Sequence, residues 1–203
     1  WTSLAANIAI LAVFKYWGFF HEVSLDFAKL LGFSQSPLPY LSLILPIGLS
    51  FHTFQSMSYT IEVYWGRQPP ERHFGIYSLY VLFFPQMVAG PIERPQNILH
   101  QLREPKVFDT DQFASGLRLI LWGLFKKSVL ADNLSVVSDA TWNDPKAAGG
   151  GLILGAVAFS FQILCDFSGY SDMARGSARC LGIDLMRNFD RPYVSSSITE
   201  FWR

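Results

Sequence analysis

The densest group of reactive side chains reads Cys165-Asp166-Phe167-Ser168-Gly169-Tyr170-Ser171-Asp172-Met173. Two carboxylates, three hydroxyl-bearing residues and a thiol follow an apolar run over 149–165 that carries no Asp, Glu, Lys or Arg. On a helix Asp166 and Tyr170 share a face at i, i+4, and Asp172 points elsewhere. Ionisable groups within hydrocarbon are costly and face a cavity or a partner rather than lipid. Two readings follow. In one, the group lines a polar passage for a substrate or an ion. In the other, Asp166 or Asp172 pairs with Arg175 or Arg179, or caps a helix, and its role is structural.

The remaining reactive residues are more scattered. His52 sits in Phe51-His52-Thr53-Phe54-Gln55, within an otherwise apolar stretch. Histidine is the usual general base, but this one has no local acid–base partner, so a hydrogen-bonded packing role is the simpler reading. His21, His73 and His100 fall near predicted loops and read as solvated. No two histidines have metal-ligand spacing, so no metal is expected. Cys165 and Cys180 form no C-x-x-C pair and read as two free thiols. There is no G-x-S-x-G, phosphate-binding glycine loop or dinucleotide fingerprint, and no bound cofactor is expected.

What positions these groups is a strongly apolar chain. Of 203 residues, 50% are hydrophobic and only 16% are charged, against about 25% charged in a soluble domain. The 18 phenylalanines, with six tryptophans and eight tyrosines, suit a bilayer and its interfaces. The formal net charge is zero, so no basic surface is available for nucleic acid. A spanning helix needs roughly 20 apolar residues. Four stretches approach that: 1–20, interrupted by Lys15, then 34–61, 74–92 and 149–165. Four such runs are hard to bury in one soluble core of this size. The predicted class is therefore all-α, a polytopic transmembrane helical bundle in contact with the lipid bilayer.

The spans are interrupted. Pro46 and Gly48 fall inside the second, and Pro85, Gly90 and Pro91 in or just after the third. Proline removes a backbone donor and bends a helix, and in hydrocarbon the freed carbonyls need partners within the protein. Polar linkers are expected at 67–73, 93–112 and 138–148. The segment 113–140 is unusual, because Lys126-Lys127 sits in its middle. A lipid-facing helix does not carry that pair at the bilayer centre. The helix is interfacial, or tilted with snorkelling lysines, or turned toward a polar interior. If five helices alternate sides, one side collects eight basic residues, from Lys29 to Arg191, and the other only Arg67, Arg72 and Lys146; the richer side would be cytoplasmic. Trp1 in place of Met, and the abrupt end at Arg203, read as one partial domain over 1–203, truncated at both ends.

By the residues alone, such a bundle fits a secondary transporter as well as an enzyme. Four blocks in order add to this. They are Leu45-Pro46-Ile47-Gly48-Leu49-Ser50-Phe51 with Gln55-Ser56; Phe83-Phe84-Pro85-Gln86-Met87-Val88-Ala89-Gly90-Pro91-Ile92; Gly123-Leu124-Phe125-Lys126-Lys127-Ser128-Val129-Leu130-Ala131-Asp132-Asn133; and the Asp166 block continuing to Asn188-Phe189-Asp190-Arg191-Pro192-Tyr193 and Glu200-Phe201-Trp202-Arg203. Together they resemble the membrane-bound O-acyltransferase (MBOAT) family, nearest to its branch that acetylates alginate in bacteria, with the D-alanyl export branch of teichoic acid synthesis more distant. The resemblance implies a ring of helices around a tunnel in the bacterial inner membrane, multi-pass. It implies an acyl donor, acetyl-CoA or another acyl thioester, and an acceptor hydroxyl on an extracytoplasmic polysaccharide, with envelope acetylation proteins as partners. It implies a histidine as general base, placed just beyond Arg203, so that no residue of this chain is expected to be catalytic and the chain alone is expected to be inactive. By the same resemblance, Asp166, Ser168, Tyr170, Asp172, Asn188, Arg191, Tyr193 and Glu200 are candidates for lining the tunnel or supporting that histidine.

Overall fold

The computed structural model describes all residues except Ser34, Leu45, Ile47, Val88, Ala89 and Arg203, so parts of the first, second and last sequence blocks lie outside the described residues. Among the described residues every regular element is helical. The chain divides into two compact units, Trp1–Arg72 and His73–Arg203.

The first unit is built on α1 (Thr2–Leu30). Its 29 residues span about 43 Å at 1.5 Å per residue. It is long and apolar enough to cross a membrane, and its apolar side chains, Phe19 and Phe27 among them, are exposed. Gly32 ends it at φ +84°, which lets Phe33 N–H reach back to the Ala28 carbonyl at 2.9 Å. The chain then returns along a polar stripe of α1. Trp17 Nε1 donates to the Pro39 carbonyl at 2.9 Å, His21 Nδ1 lies 2.9 Å from the Leu38 carbonyl, and Ser24 and Ser36 share a 2.6 Å hydroxyl bond. His21 is thus a half-buried fastener inside a helix, not a solvated loop residue. Spacing hid this, because the partners are carbonyls 17 to 22 residues away. Helix α2 (Leu49–Tyr64) begins after Gly48 at φ +76° and packs on α1, with Ser3 and Thr60 hydroxyls 3.3 Å apart.

The second unit contains α3 (Phe74–Val81), a 3-10 turn at Phe84–Gln86, α4 (Pro95–Arg103), α5 (Thr110–Leu124), a π-helical stretch Phe125–Ala131, α6 (Asp132–Trp142), α7 (Gly150–Cys180), a second 3-10 turn at Pro192–Val194 and α8 (Ile198–Phe201). Helix α7 is the second helix long and apolar enough to cross a membrane. The other expected spans are shorter. Only 16 residues form α2 and only eight form α3, because Gly48 resets the backbone before one and Pro85 stops the other. The expected 93–112 linker contains α4, and His73 caps α3 by accepting from Ile76 N–H at 3.3 Å.

Helix α5, the π stretch and α6 run on as one rod, with α5 started by Asp109, whose carboxylate accepts from Asp111 and Gln112 N–H. This rod packs antiparallel against α7 at backbone contact. A Cβ on Gly123 would lie 2.5 Å from the Gly169 carbonyl, and one on Gly116 would lie 2.7 Å from the Gly176 carbonyl. Both helices repeat glycine every seven residues, so the pairs fall on one seam. Lipid tails give helices little hydrophobic reason to associate, and close approach gains dispersion contact instead. A second core gathers Tyr80, Phe83, Ile98, Leu99, Ile183 and Leu185, all buried.

Candidate functional site

The seam brings the polar groups of two helices together. Lys126 and Lys127 lie in the π-helical stretch. A π turn carries more residues than an α turn, so neighbouring side chains diverge less, and such stretches recur at functional sites. Here both lysines of a consecutive pair reach the same partner helix. Lys126 Nζ sits 2.5 Å from Asp172 Oδ2 and donates to Ser168 Oγ at 3.1 Å. Lys127 Nζ sits 2.9 Å from Asp166 Oδ1, 2.7 Å from Asp132 Oδ1 and 5.9 Å from the centre of the Tyr170 ring. Arg175 adds a 3.5 Å contact to Asp172.

The pairing follows the helical repeat of α7. Ser168 and Asp172 are four apart and serve Lys126; Asp166 and Tyr170 are four apart and serve Lys127. Three cations, Lys126, Lys127 and Arg175, meet three carboxylates, Asp132, Asp166 and Asp172. The formal charges of the cluster cancel, so each charge has an opposite one within reach. Its two halves differ in access. The Lys126 and Asp172 side chains are 14% and 17% exposed, whereas Lys127, Asp166 and Asp132 are 29%, 43% and 53% exposed. One half is a sealed fastener and the other opens outward beside the Tyr170 phenol.

Both carboxylates have cationic partners, and only one of these, Arg175, is among those the sequence suggested. Asp172 takes Arg175 as a second cation and Lys126 as its first. Asp166 pairs with Lys127, and Arg179 goes to Asp184 at 3.1 Å. Both lysines of this segment turn toward α7 and its carboxylates.

The other candidates fall in two places. Asn188 joins the cluster's edge, donating to Ser171 Oγ at 3.1 Å. Tyr193 lies farther along α7, its hydroxyl donating to the Ser160 carbonyl at 2.7 Å, about 9 Å along the axis from Asp166. Its ring contacts Phe161 edge-on and stacks on Phe201. Arg191 starts the Pro192–Val194 turn at φ +52°, a left-handed conformation uncommon outside glycine and asparagine. Glu200 Oε2 accepts from Ser196 N–H at 2.7 Å and Ser196 Oγ at 2.6 Å, and Ser197 caps α8. These Ser196 contacts hold the Glu200 carboxyl below its ordinary range. The structure thus gathers Asp166, Ser168, Tyr170, Asp172 and Asn188, and sets Arg191, Tyr193 and Glu200 apart. Lys126, Lys127, Arg175 and Asp132 are missing from the sequence-based candidates. A signal existed: two lysines in one apolar segment and two aspartates in another balance only if the segments are neighbours. Cys165 and Cys180 are free thiols. Among the described residues no group of three or more His, Cys, Asp or Glu is arranged to hold a metal.

Two helices long and apolar enough to cross a membrane, with the charges of α7 paired to the rod beside it, fit a helical membrane protein. Residues 72–203 match the profile of MBOAT, the membrane-bound O-acyltransferase family, and the chain belongs to that family. It is 39% identical over 201 residues to the "Probable alginate O-acetylase AlgI" of Pseudomonas putida, covering 99% of this chain and 41% of that protein. It is 33% identical over 233 residues to the "Peptidoglycan O-acetyltransferase" of Helicobacter pylori, covering 99% of this chain and 42% of that protein. Identity to the "Teichoic acid D-alanyltransferase" of Bacillus subtilis is 25% over 207 residues, covering 98% and 49%. The chain spans about two fifths to one half of the length of these relatives.

Proposed function

We propose that the protein carrying this chain is a multi-pass O-acyltransferase of the bacterial cytoplasmic membrane. It moves an acetyl group from a thioester donor, such as acetyl-CoA, to hydroxyls of an extracytoplasmic polysaccharide such as alginate. The observation that carries this reading is the 39% identity over 99% of the chain to a named alginate O-acetylase, exceeding by 14 points the 25% identity to the D-alanyltransferase. Family membership also favours acyl transfer over the transporter alternative.

In the reaction, the acceptor oxygen attacks the thioester carbonyl, a C–O bond forms and the C–S bond breaks. The acceptor proton passes to a general base, which the family resemblance places beyond Arg203, and the departing thiolate takes up a proton. The part assigned to the present residues is positioning. The sealed Lys126–Asp172 half ties α7 to the rod. The open half offers Asp166 and Tyr170 to hydroxyl-rich substrate, held in place by Lys127. Holding donor and acceptor in one passage replaces a bimolecular encounter by a bound geometry. Envelope proteins that complete polymer acetylation are the expected partners.

The test is acetyl transfer by the full-length protein in proteoliposomes, with acetyl-CoA supplied on one side and polymannuronate together with the envelope acetylation proteins on the other. Acetyl ester on the polymer is expected from wild type, and a loss of at least about tenfold from Asp166→Ala, the scale of one lost charge-assisted contact. The reading is overturned if wild type acetylates nothing while D-alanyl thioester or an ion gradient drives turnover.

A further inference from the structure

Three side chains at one end of the second unit make an arrangement that the acylation reading does not use. Glu93 is fully buried, just before α4. One carboxylate oxygen accepts from Met186 N–H, and the other accepts from Asn97 Nδ2 at 2.8 Å. Asn97 Nδ2 also lies 3.4 Å from the Asp184 carbonyl. Gln101 completes the row. Its amide nitrogen donates to the Asp184 carbonyl at 2.9 Å, and its amide oxygen accepts from Asp184 N–H at 2.8 Å.

Asn97 and Gln101 are four apart on α4 and share a face, and Glu93, two residues before the helix, joins them through Asn97. Asp184 and Met186 are two apart, and in an extended chain alternate residues present their N–H and C=O along the same edge. The helix thus treats the segment as a sheet would, with side chains in place of a partner strand. Such backbone groups otherwise need partners when buried. The alternate residues, Ile183 and Leu185, are buried in the core. Downstream of this segment comes Asn188, which reaches Ser171 on α7, and then the left-handed Arg191.

We propose that Glu93 is a positioning residue for acyl transfer: with Asn97 and Gln101 it clamps the Asp184–Met186 chain and thereby sets the Asn188–Tyr193 segment against the polar face of α7. The proposal rests on the acylation reading for its functional part and on geometry alone for the clamp. A buried carboxylate is an expensive acceptor where an apolar side chain would fill the space. Burial pushes the Glu93 carboxyl above its ordinary range, while Met186 N–H, Asn97 and the Arg175 guanidinium hold it down. Both neighbours of the carboxylate are donors, so Glu is the residue that satisfies them together. Glutamine has one acceptor and satisfies only one.

That asymmetry supplies the test, made in the full-length protein in nanodiscs. Glu93→Ala and Asn97→Ala are each expected to speed amide exchange across 184–193 by roughly tenfold or more, the scale of losing a hydrogen bond to a charged group. Acetyl transfer is expected to fall in kcat by a similar factor, with KM within about twofold, because the segment is misplaced rather than removed. The double substitution E93Q/N97D restores complementarity between positions 93 and 97 and gives up the longer 3.4 Å contact of Asn97 to the Asp184 carbonyl, which Gln101 still serves. The new amide at position 93 turns its carbonyl oxygen to Met186 N–H, and its NH2 group donates to the new carboxylate at position 97. Exchange and kcat should return toward wild type in this swap and not in E93Q alone. If E93A does not fold, the comparison of E93Q with the swap decides the matter. Unchanged exchange in E93Q and N97A, or a swap no better than E93Q, overturns the clamp. Faster exchange with unchanged kcat overturns the positioning role. A wild type that transfers no acetyl group overturns the functional reading beneath it, and leaves the clamp to be judged by exchange alone.

Discussion

Replacing each lysine of the π stretch by methionine separates two environments that the sequence writes as one dipeptide. Lys126→Met leaves Asp172, 17% exposed, with only Arg175 at 3.5 Å, and removes the donor to Ser168. Breaking a buried pair costs about 3–5 kcal/mol, and the remaining guanidinium places this variant near the lower end, about 3 kcal/mol. Lys127→Met removes a cation 29% exposed from carboxylates 43% and 53% exposed. If their open side meets water, screening limits each pair to about 1 kcal/mol or less, and the variant loses at most about 2 kcal/mol. If it meets lipid, two uncompensated carboxylates within hydrocarbon cost about 2.5–3.5 kcal/mol each, and the order reverses. The assay is the unfolding midpoint of the full-length protein in a mixed-micelle denaturant titration. The expected order is wild type, then K127M, then K126M. A K127M variant as damaged as K126M, or more so, would refute a wet passage beside Asp166 and Tyr170.

Three further outcomes are expected. Gly123→Ala and Gly169→Ala should each destabilise the protein by about 1–3 kcal/mol by overpacking, since the new Cβ would meet the opposing glycine carbonyl at 2.5 and 2.9 Å; Gly150→Ala, with open space around it, should stay within about 0.5 kcal/mol, and thermal unfolding in detergent compares them. Tyr193→Phe should cost about 1 kcal/mol by deleting the bond to the Ser160 carbonyl while keeping its ring contacts, measured by the same unfolding. Ser196→Ala should raise the Glu200 carboxyl back toward 4.5, its ordinary value: a depressed carboxyl lends local stability above its unfolded value and loses it as pH falls through the folded one, so in the variant the turn before α8 should open at higher pH, followed by NMR titration of that carboxyl.

How far the sequence predicted this arrangement depends on the range of the interactions. The helical class was legible because apolar length is a local property, and the Asp166–Tyr170 face because a four-residue repeat is one too. The lengths of α2 and α3 were less so. Apolar composition continues through Gly48 and Pro85, where backbone geometry does not. Lys126-Lys127 stood out as misplaced for lipid, but its partners on α7 are distant in the chain, Ser168 by 42 positions, so only the need for charge balance pointed to them. The Glu93 clamp was not legible at all. It joins residues 83 to 93 positions apart, and two of its three side chains are amides, which carry no charge to balance.

The glycine seam and the charge cluster solve one problem jointly. A charged pair in a bilayer is tolerable only at short range, where attraction offsets desolvation, and short range demands that the two helix axes approach closely. Gly123 and Gly169 provide that approach, and Lys126 and Lys127 follow within about one turn of Gly123. Enlarging the glycines would therefore act on the ion pairs as well as on packing. The two perturbations should couple: in a G123A background, K126M should cost less than in wild type, because the pair it removes would already be stretched. Additive losses, within about 0.5 kcal/mol, would mean that the lysines reach their aspartates independently of helix spacing, and that the seam and the cluster are separate devices.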